Sequence, residues 1–180
     1  FSQEHIEATH HYATLIFDSL KKLHGLDKRK KLFLDLAVML HEVGYYVNSK
    51  DPRASTFDII ENVDLYGLTE ADVLLVANIV RYNELTTPTL EDAEYRRLTD
   101  SERLLVSKLV AIFRLSNALD KSKKQKLKNI KIKVLDESLV ITAESDDNVY
   151  LEKWAVAKCG EFFEEVFGLK VRLDVKSGLI

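Results

Sequence analysis

Near residue 125 the spacing of apolar side chains changes period, and one kind of secondary structure cannot satisfy both halves. Before that point apolar residues recur every three to four positions, the period of one face of an α-helix; after it they alternate, the period of one face of a β-strand. The chain therefore divides into a helical part, residues 1–125, and a part containing strands, residues 126–180.

In the helical part, Ile6, Ala13, Ile16, Phe17 and Leu20 keep helical spacing from Glu4 to His24, and Gly25 ends the run. Asp27 is placed to cap a second helix through Leu32, Phe33, Leu36, Ala37 and Leu40 to His41, with Gly44 as its stop. "NSKDPRAS" reads as a loop broken by Pro52, and "STFDIIENV" as a short helix. Thr69 opens a helix with Val73, Val76, Ala77 and Val80 on one stripe. Thr99, with Glu102 three residues on, is a capping box; it opens the longest helix, apolar at Leu105, Leu109, Ile112, Phe113 and Leu119.

In the second part "NIKIKVLD" alternates as a strand, "SLVITAES" follows as the next after the turn-like Asp136-Glu137, and "LKVRLDVKS" alternates with Val171, Leu173 and Val175 on one face. Between the second and third strands lies an amphipathic helix, "YLEKWAVAKCGEFFEEVFG", which Gly168 ends. Its Trp154, Phe162, Phe163 and Phe167 are core or interface residues, and Cys159 is a small buried hydrophobe. The order is ββαβ, so the expected class is mainly α with a small α+β tail.

Composition narrows the function. Hydrophobic residues make up 46% of 180, enough for a core, and the formal charge of -3 predicts neither wholesale nucleic-acid binding nor attraction to a membrane. No stretch approaches the ~20 apolar residues of a membrane span. One cysteine excludes an internal disulfide and a Cys-rich zinc site, which points to a reducing, cytoplasmic setting. The start, "FSQEHIEATHH", has neither the basic nor the apolar region of a signal peptide, and reads as the interior of a longer chain. No G-x-G-x-x-G or G-x-x-x-x-G-K phosphate loop occurs.

Five segments carry a family likeness. "HIEATHHYATLIFDSL", "LAVMLHEVGYYVN", "IIENVDLYGLTEAD", "VANIVRYNE" and "VSKLVAIFRLSNALDKS" stand in the order and spacing of the C-terminal region of the Ppx/GppA exopolyphosphatases and guanosine pentaphosphate phosphohydrolases, which this chain resembles. The resemblance implies an HD-domain-like helical bundle followed by the ββαβ subdomain. It also implies an accessory part of such an enzyme, since the family's catalytic residues lie in an actin-like half with glycine-rich loops that this sequence does not show.

HD domains are enzymes in their own right where two histidines and two aspartates hold a divalent metal that activates water. By register the resemblance places His5 and His41 at the histidine positions, Glu42 at the first aspartate and Asn117 at the second, with Asp120 three residues on as a substitute. Arg53 and Ser55 stand in "RAST", and Asn83 in "RYN", where the family has histidines. A neutral amide cannot supply a carboxylate's charge, so the set reads as degenerate and no resident metal or other cofactor is expected.

The remaining chemistry is cationic. "DKSKKQKLKN" carries Lys121, Lys123, Lys124, Lys126 and Lys128, and Arg81 and Arg114 flank the helical segments. Lysines steer polyanions, and a guanidinium holds phosphate oxygens bidentately. Arg81, Arg114, Lys121, Lys123 and Lys124 are the candidate anion-binding residues; the ligand that the resemblance implies is polyphosphate or a guanosine polyphosphate. A homodimer is expected, without a membrane or a specific nucleic acid as partner. The alternatives are a metal-dependent HD-type phosphohydrolase with altered ligands, and a dimerisation module without ligand.

Overall fold

The computed structural model describes residues 2–42, 67–83 and 86–178. The chain is mainly helical with a small three-stranded sheet. Its contacts gather into two units, Asp27–Val110 and Ser2–Leu26 with Ala111–Ile180. The change of period near residue 125 thus marks a change of secondary structure inside the second unit.

In the unit Asp27–Val110, helix α3 (Lys28–Leu40) begins where Asp27 Oδ1 accepts from the Lys30 amide at 3.0 Å. It buries Phe33, Leu34, Ala37 and Val38 and packs on α4 (Glu70–Arg81), whose Val73, Val76, Ala77 and Val80 form the expected stripe. Thr69 and Asp72 exchange side-chain and backbone hydrogen bonds at 3.1 Å each, a capping box. Burial favours the neutral form of Asp72, but hydrogen bonds from Thr69 and Arg29 outweigh it and hold the carboxyl below its ordinary range. Arg29 also lies over the Phe33 ring.

A single turn, α5 (Ala93–Arg96), has no apolar stripe to announce it. It is held by Arg81 to Glu94 at 3.4 Å and by Arg103 Nη2 donating to the Arg96 carbonyl at 2.8 Å. The long helix α6 (Asp100–Ala118) starts on the expected box, with the Glu102 amide on Thr99 Oγ1 at 3.2 Å and the Thr99 amide on Glu102 Oε1 at 2.8 Å. Val106, Leu109, Ile112 and Phe113 are buried, and Leu105 is half-buried beside them. The expected stop at Gly44, the loop at Pro52 with Arg53 and Ser55, and the helix in "STFDIIENV" lie outside the described residues.

In the other unit the first helical run is two helices, α1 (Gln3–Ser19) and α2 (Lys21–His24). At Leu20 the amide is shared between the Ile16 and Phe17 carbonyls at 3.1 and 3.2 Å, and the turn tightens. Gly25, at φ 62°, closes α2. Strands β1 (Lys128–Leu135), β2 (Ser138–Glu144) and β3 (Lys170–Lys176) form one sheet in that order, β1–β2 antiparallel and β2–β3 parallel. The register puts Ile132, Ile141 and Leu173 in one row, as alternation requires.

Helix α7 (Tyr150–Phe167) joins β2 to β3 and packs on β3. A Cβ at Gly160 would stand 3.5 Å from Val171 Cβ, so helix and strand touch where the side chain is smallest. No helix among the described residues is long and apolar enough to cross a membrane. Phe113 has no exposed surface; Phe113→Ala should cost ~3–5 kcal/mol in a denaturant titration, and a loss below ~1 kcal/mol would mean that its ring is not part of the core.

Candidate functional site

Helical spacing puts His5, Thr9 and Tyr12 on one buried face of α1. In the same unit the last turn of α6 presents Asn117, and Asp120 follows just past the helix end. His5 Nδ1–H donates to Asp120 Oδ2 at 2.7 Å, and His5 Nε2 lies 2.7 Å from Asn117 Oδ1. His5 and Asp120 are each 1% exposed. Three of the positions that the sequence singled out therefore meet.

The geometry assigns them different work. Asp120 takes the ring nitrogen that faces away from Asn117, so it orients the imidazole. Its oxygens also accept from the Gln125 amide at 2.7 Å and from Gln125 Nε2 at 2.9 Å. Asn117 meets Nε2 with an amide, which donates in one orientation and accepts in the other, so it serves the ring in either protonation state. Within this unit the donors do not make the charged set that a catalytic divalent ion needs: Asp120 is committed on both oxygens, and Asn117 is neutral.

Gln125 and Tyr12 belong to the site and were not singled out from sequence. Tyr12 lies seven residues from His5, on the same helical face, which was a legible signal. Its hydroxyl donates to the Leu127 carbonyl at 3.5 Å. Burial first, and the Asp120 charge second, push that hydroxyl up to about 12.

The turn after Asp120 carries the candidate lysines. The Lys123 amide donates to the Asp120 carbonyl at 2.9 Å, and the Ser122 amide to Glu152 Oε2 at 2.6 Å. Lys123 and Gln125 both adopt left-handed backbone, at φ 60° and 49°, a region side chains occupy only when neighbours hold them there. Lys121, Lys123 and Lys124 are exposed on this pinned turn. Glu152, buried on α7, is a second anchor that sequence did not reveal.

Arg114 is 4% exposed, with its guanidinium 4.7 Å from the Phe162 ring centre. Burial favours its neutral form and lowers its ordinary value. Cys159 Sγ lies 3.5 Å from the Arg114 carbonyl, and burial pushes the thiol up to about 11 although Arg114 and Lys121 pull the other way.

In the other unit, Arg81 is matched by Asp92 at 3.5 Å and Glu94 at 3.4 Å. Tyr82, beside it, is fully buried and donates to Asp92; burial and that hydrogen bond raise its hydroxyl above the ordinary value. His41 and Glu42 close α3 as a buried pair, His41 Nε2 lying 3.9 Å from Glu42 Oε1. His41 Nδ1–H donates to the Val38 carbonyl at 2.5 Å, which fixes the tautomer.

Residues 2–158 match the family model for Ppx/GppA phosphatase, domain III. The chain belongs to that family. No curated protein matches it.

The raised Tyr12 hydroxyl has a consequence with a definite sign. The folded state holds this proton more tightly than the unfolded chain does, so the contribution is complete below pH ~10 and is lost as pH rises from ~10 towards 12. Urea midpoints measured across that interval should fall for the native protein and fall less for Tyr12→Phe. Parallel curves for the two would place the alkaline loss elsewhere.

Proposed function

We propose that this chain is an accessory, non-catalytic module of a Ppx/GppA-related hydrolase, working in a reducing cytoplasm. It binds polyphosphate or a guanosine polyphosphate and pairs with a second copy of itself. Its helices correspond to an HD-like bundle whose hydrolytic ligand set has decayed, and the ββαβ segment after residue 125 is its C-terminal extension. Family membership supports the ligand class.

One observation carries the binding role. Lys121, Lys123 and Lys124 are exposed on a turn that Asp120 and Glu152 pin from below, so their charges stand in one place rather than averaging over a loose linker. Fixing the turn in advance lowers the entropy that an anion must overcome to collect them. The net charge of -3 makes the patch a local exception, which favours a ligand delivering several charges to one spot. Arg114, over Phe162 and beside Cys159, supports the packing behind this turn.

The altered site supports the non-catalytic half of the role. With Asn117 on His5, the developing charge of a hydrolytic transition state would meet a neutral amide where HD enzymes place a metal-bound carboxylate.

Titration of labelled polyphosphate at ~50 and ~200 mM salt tests the binding role, because each neutralised phosphate releases a counterion. Affinity should fall steeply between the two salts, and Lys121→Ala with Lys123→Ala and Lys124→Ala should lower the slope of log affinity against log salt by about 2–3. A folded native protein that does not bind at ~50 mM salt would end the binding role.

A further inference from the structure

Helix α7 covers one face of the sheet, with Gly160 against Val171, whose row in the register is Val134, Leu139 and Val171. Alternation puts another set on the opposite face: Lys131 and Lys133 of β1, Ser138, Val140 and Thr142 of β2, and Lys170, Arg172 and Lys176 of β3. All the cations of that set are exposed. Two acids share the face, and both are engaged: Asp174 by Arg172 at 2.9 Å, and Glu144 by Asn129 at 2.6 Å. Among the described residues Lys131, Lys133, Lys170 and Lys176 have no ion-pair partner. A solvated face usually mixes the two signs; this one is left with uncompensated positive charge.

The cations are also sorted by strand. One row stands on β1 and the other on β3, two strand spacings or about 10 Å apart. The row between them, on β2, has no cation. It carries the hydroxyls of Ser138 and Thr142, Val140 at 6% exposure, and Glu144 at its end. Lys131 and Lys176, from opposite edges, line one recess of about 540 Å³ together with Thr142 and Glu144.

That order of cation, hydroxyl and cation selects among polyanions. A single phosphate chain lying along β2 would meet Val140 and the carboxylate of Glu144. A single-stranded nucleic acid stacks its bases on aromatic side chains, and the three strands contain none. A duplex has its bases already stacked and presents two phosphate strands on either side of a groove. In duplex RNA the minor groove is wide and shallow and displays 2′-hydroxyls. We propose that this sheet face binds double-stranded RNA across its minor groove, without regard to sequence. Lys131 and Lys133, ~6.7 Å apart along β1, take neighbouring phosphates of one strand. Lys170 and Lys176 take the other strand, and Ser138 and Thr142 meet the 2′-hydroxyls between them.

This goes beyond the proposed function and is independent of the polyphosphate site, which rests on the turn at residues 121–124. Fluorescence anisotropy of a labelled RNA duplex, titrated with the 180-residue chain at ~50 and ~200 mM salt, tests it. Four neutralised phosphates should make affinity fall by about a hundredfold between the two salts. The RNA duplex should bind more tightly than a DNA duplex or a single RNA strand of the same sequence. Lys131→Ala with Lys133→Ala, and Lys170→Ala with Lys176→Ala, should each lower the slope of log affinity against log salt by about 2. Lys131→Arg with Lys133→Arg should keep the slope. Ser138→Ala with Thr142→Val should narrow the preference for RNA over DNA and leave the slope unchanged. The substituted lysines are exposed, and circular dichroism checks that each variant is folded.

A folded native chain that does not bind the RNA duplex at ~50 mM salt would overturn the proposal. A single strand bound as tightly as the duplex, or DNA bound as tightly as RNA, would overturn it as well. Alanine pairs that weaken polyphosphate binding but leave the RNA duplex unaffected would give this face to polyphosphate and end the duplex reading.

Discussion

The carboxylate of Asp120 accepts three hydrogen bonds in a buried position: from the ring of His5, from the amide of Gln125 and from the side chain of Gln125. A buried carboxylate left unpaired would be costly, whereas one that is fully bonded fixes everything it touches. Here it fixes three things. It ties α1 to the end of α6, it sets the imidazole orientation, and it holds the turn in which Lys123 and Gln125 depart from ordinary backbone. The strands then start a few residues later, at Lys128. The position that the family likeness offered as a substitute metal ligand is the joint of its unit.

Those hydrogen bonds show why chemistry and scaffold look alike in the sequence. A histidine oriented by a carboxylate through Nδ1 is the arrangement that aims Nε2 at a metal, and the same arrangement serves as a structural clasp when an amide meets Nε2. The difference between an aspartate and an asparagine at position 117 is a few atoms and one charge. Among the groups that this unit gathers around His5, that charge decides between a metal's donor set and a hydrogen-bonded clasp. The cationic turn has no such ambiguity: its lysines are exposed, and their backbone is held by groups that are buried.

The elements legible in the sequence are those whose signals are local. Asp27, Thr69 with Asp72, and Thr99 with Glu102 begin helices because each cap bonds within three residues of itself, and Gly25 and Gly168 end them because they accept left-handed backbone. Strand β1 was legible from alternation because exposed and half-buried residues alternate along it, whereas β2 buries Leu139, Val140 and Ile141 in succession and reads as a short apolar run. The elements missed depend on partners far along the chain. The turn Ala93–Arg96 is held by Arg81 and Arg103, and nothing within its four residues announces it. The break at Leu20 comes from an amide sharing two carbonyls. At the site, the spacing of Asn117 and Asp120 was readable, but Gln125 and Glu152 entered only through folding. The charge of Arg114 was equally plain in the sequence, while its burial over Phe162 depends on a contact 48 residues away.

We propose that Asn117 makes the His5 cluster a hydrogen-bonded clasp and not a metal centre. Elemental analysis of protein purified without chelator, compared with Asn117→Asp prepared in the same way, addresses it most directly. The native chain should retain under about 0.2 equivalents of manganese, iron or zinc, and the aspartate variant distinctly more, because a carboxylate is restored beside a ready imidazole. Stoichiometric metal in the native protein, lost on His5→Ala, would contradict the claim.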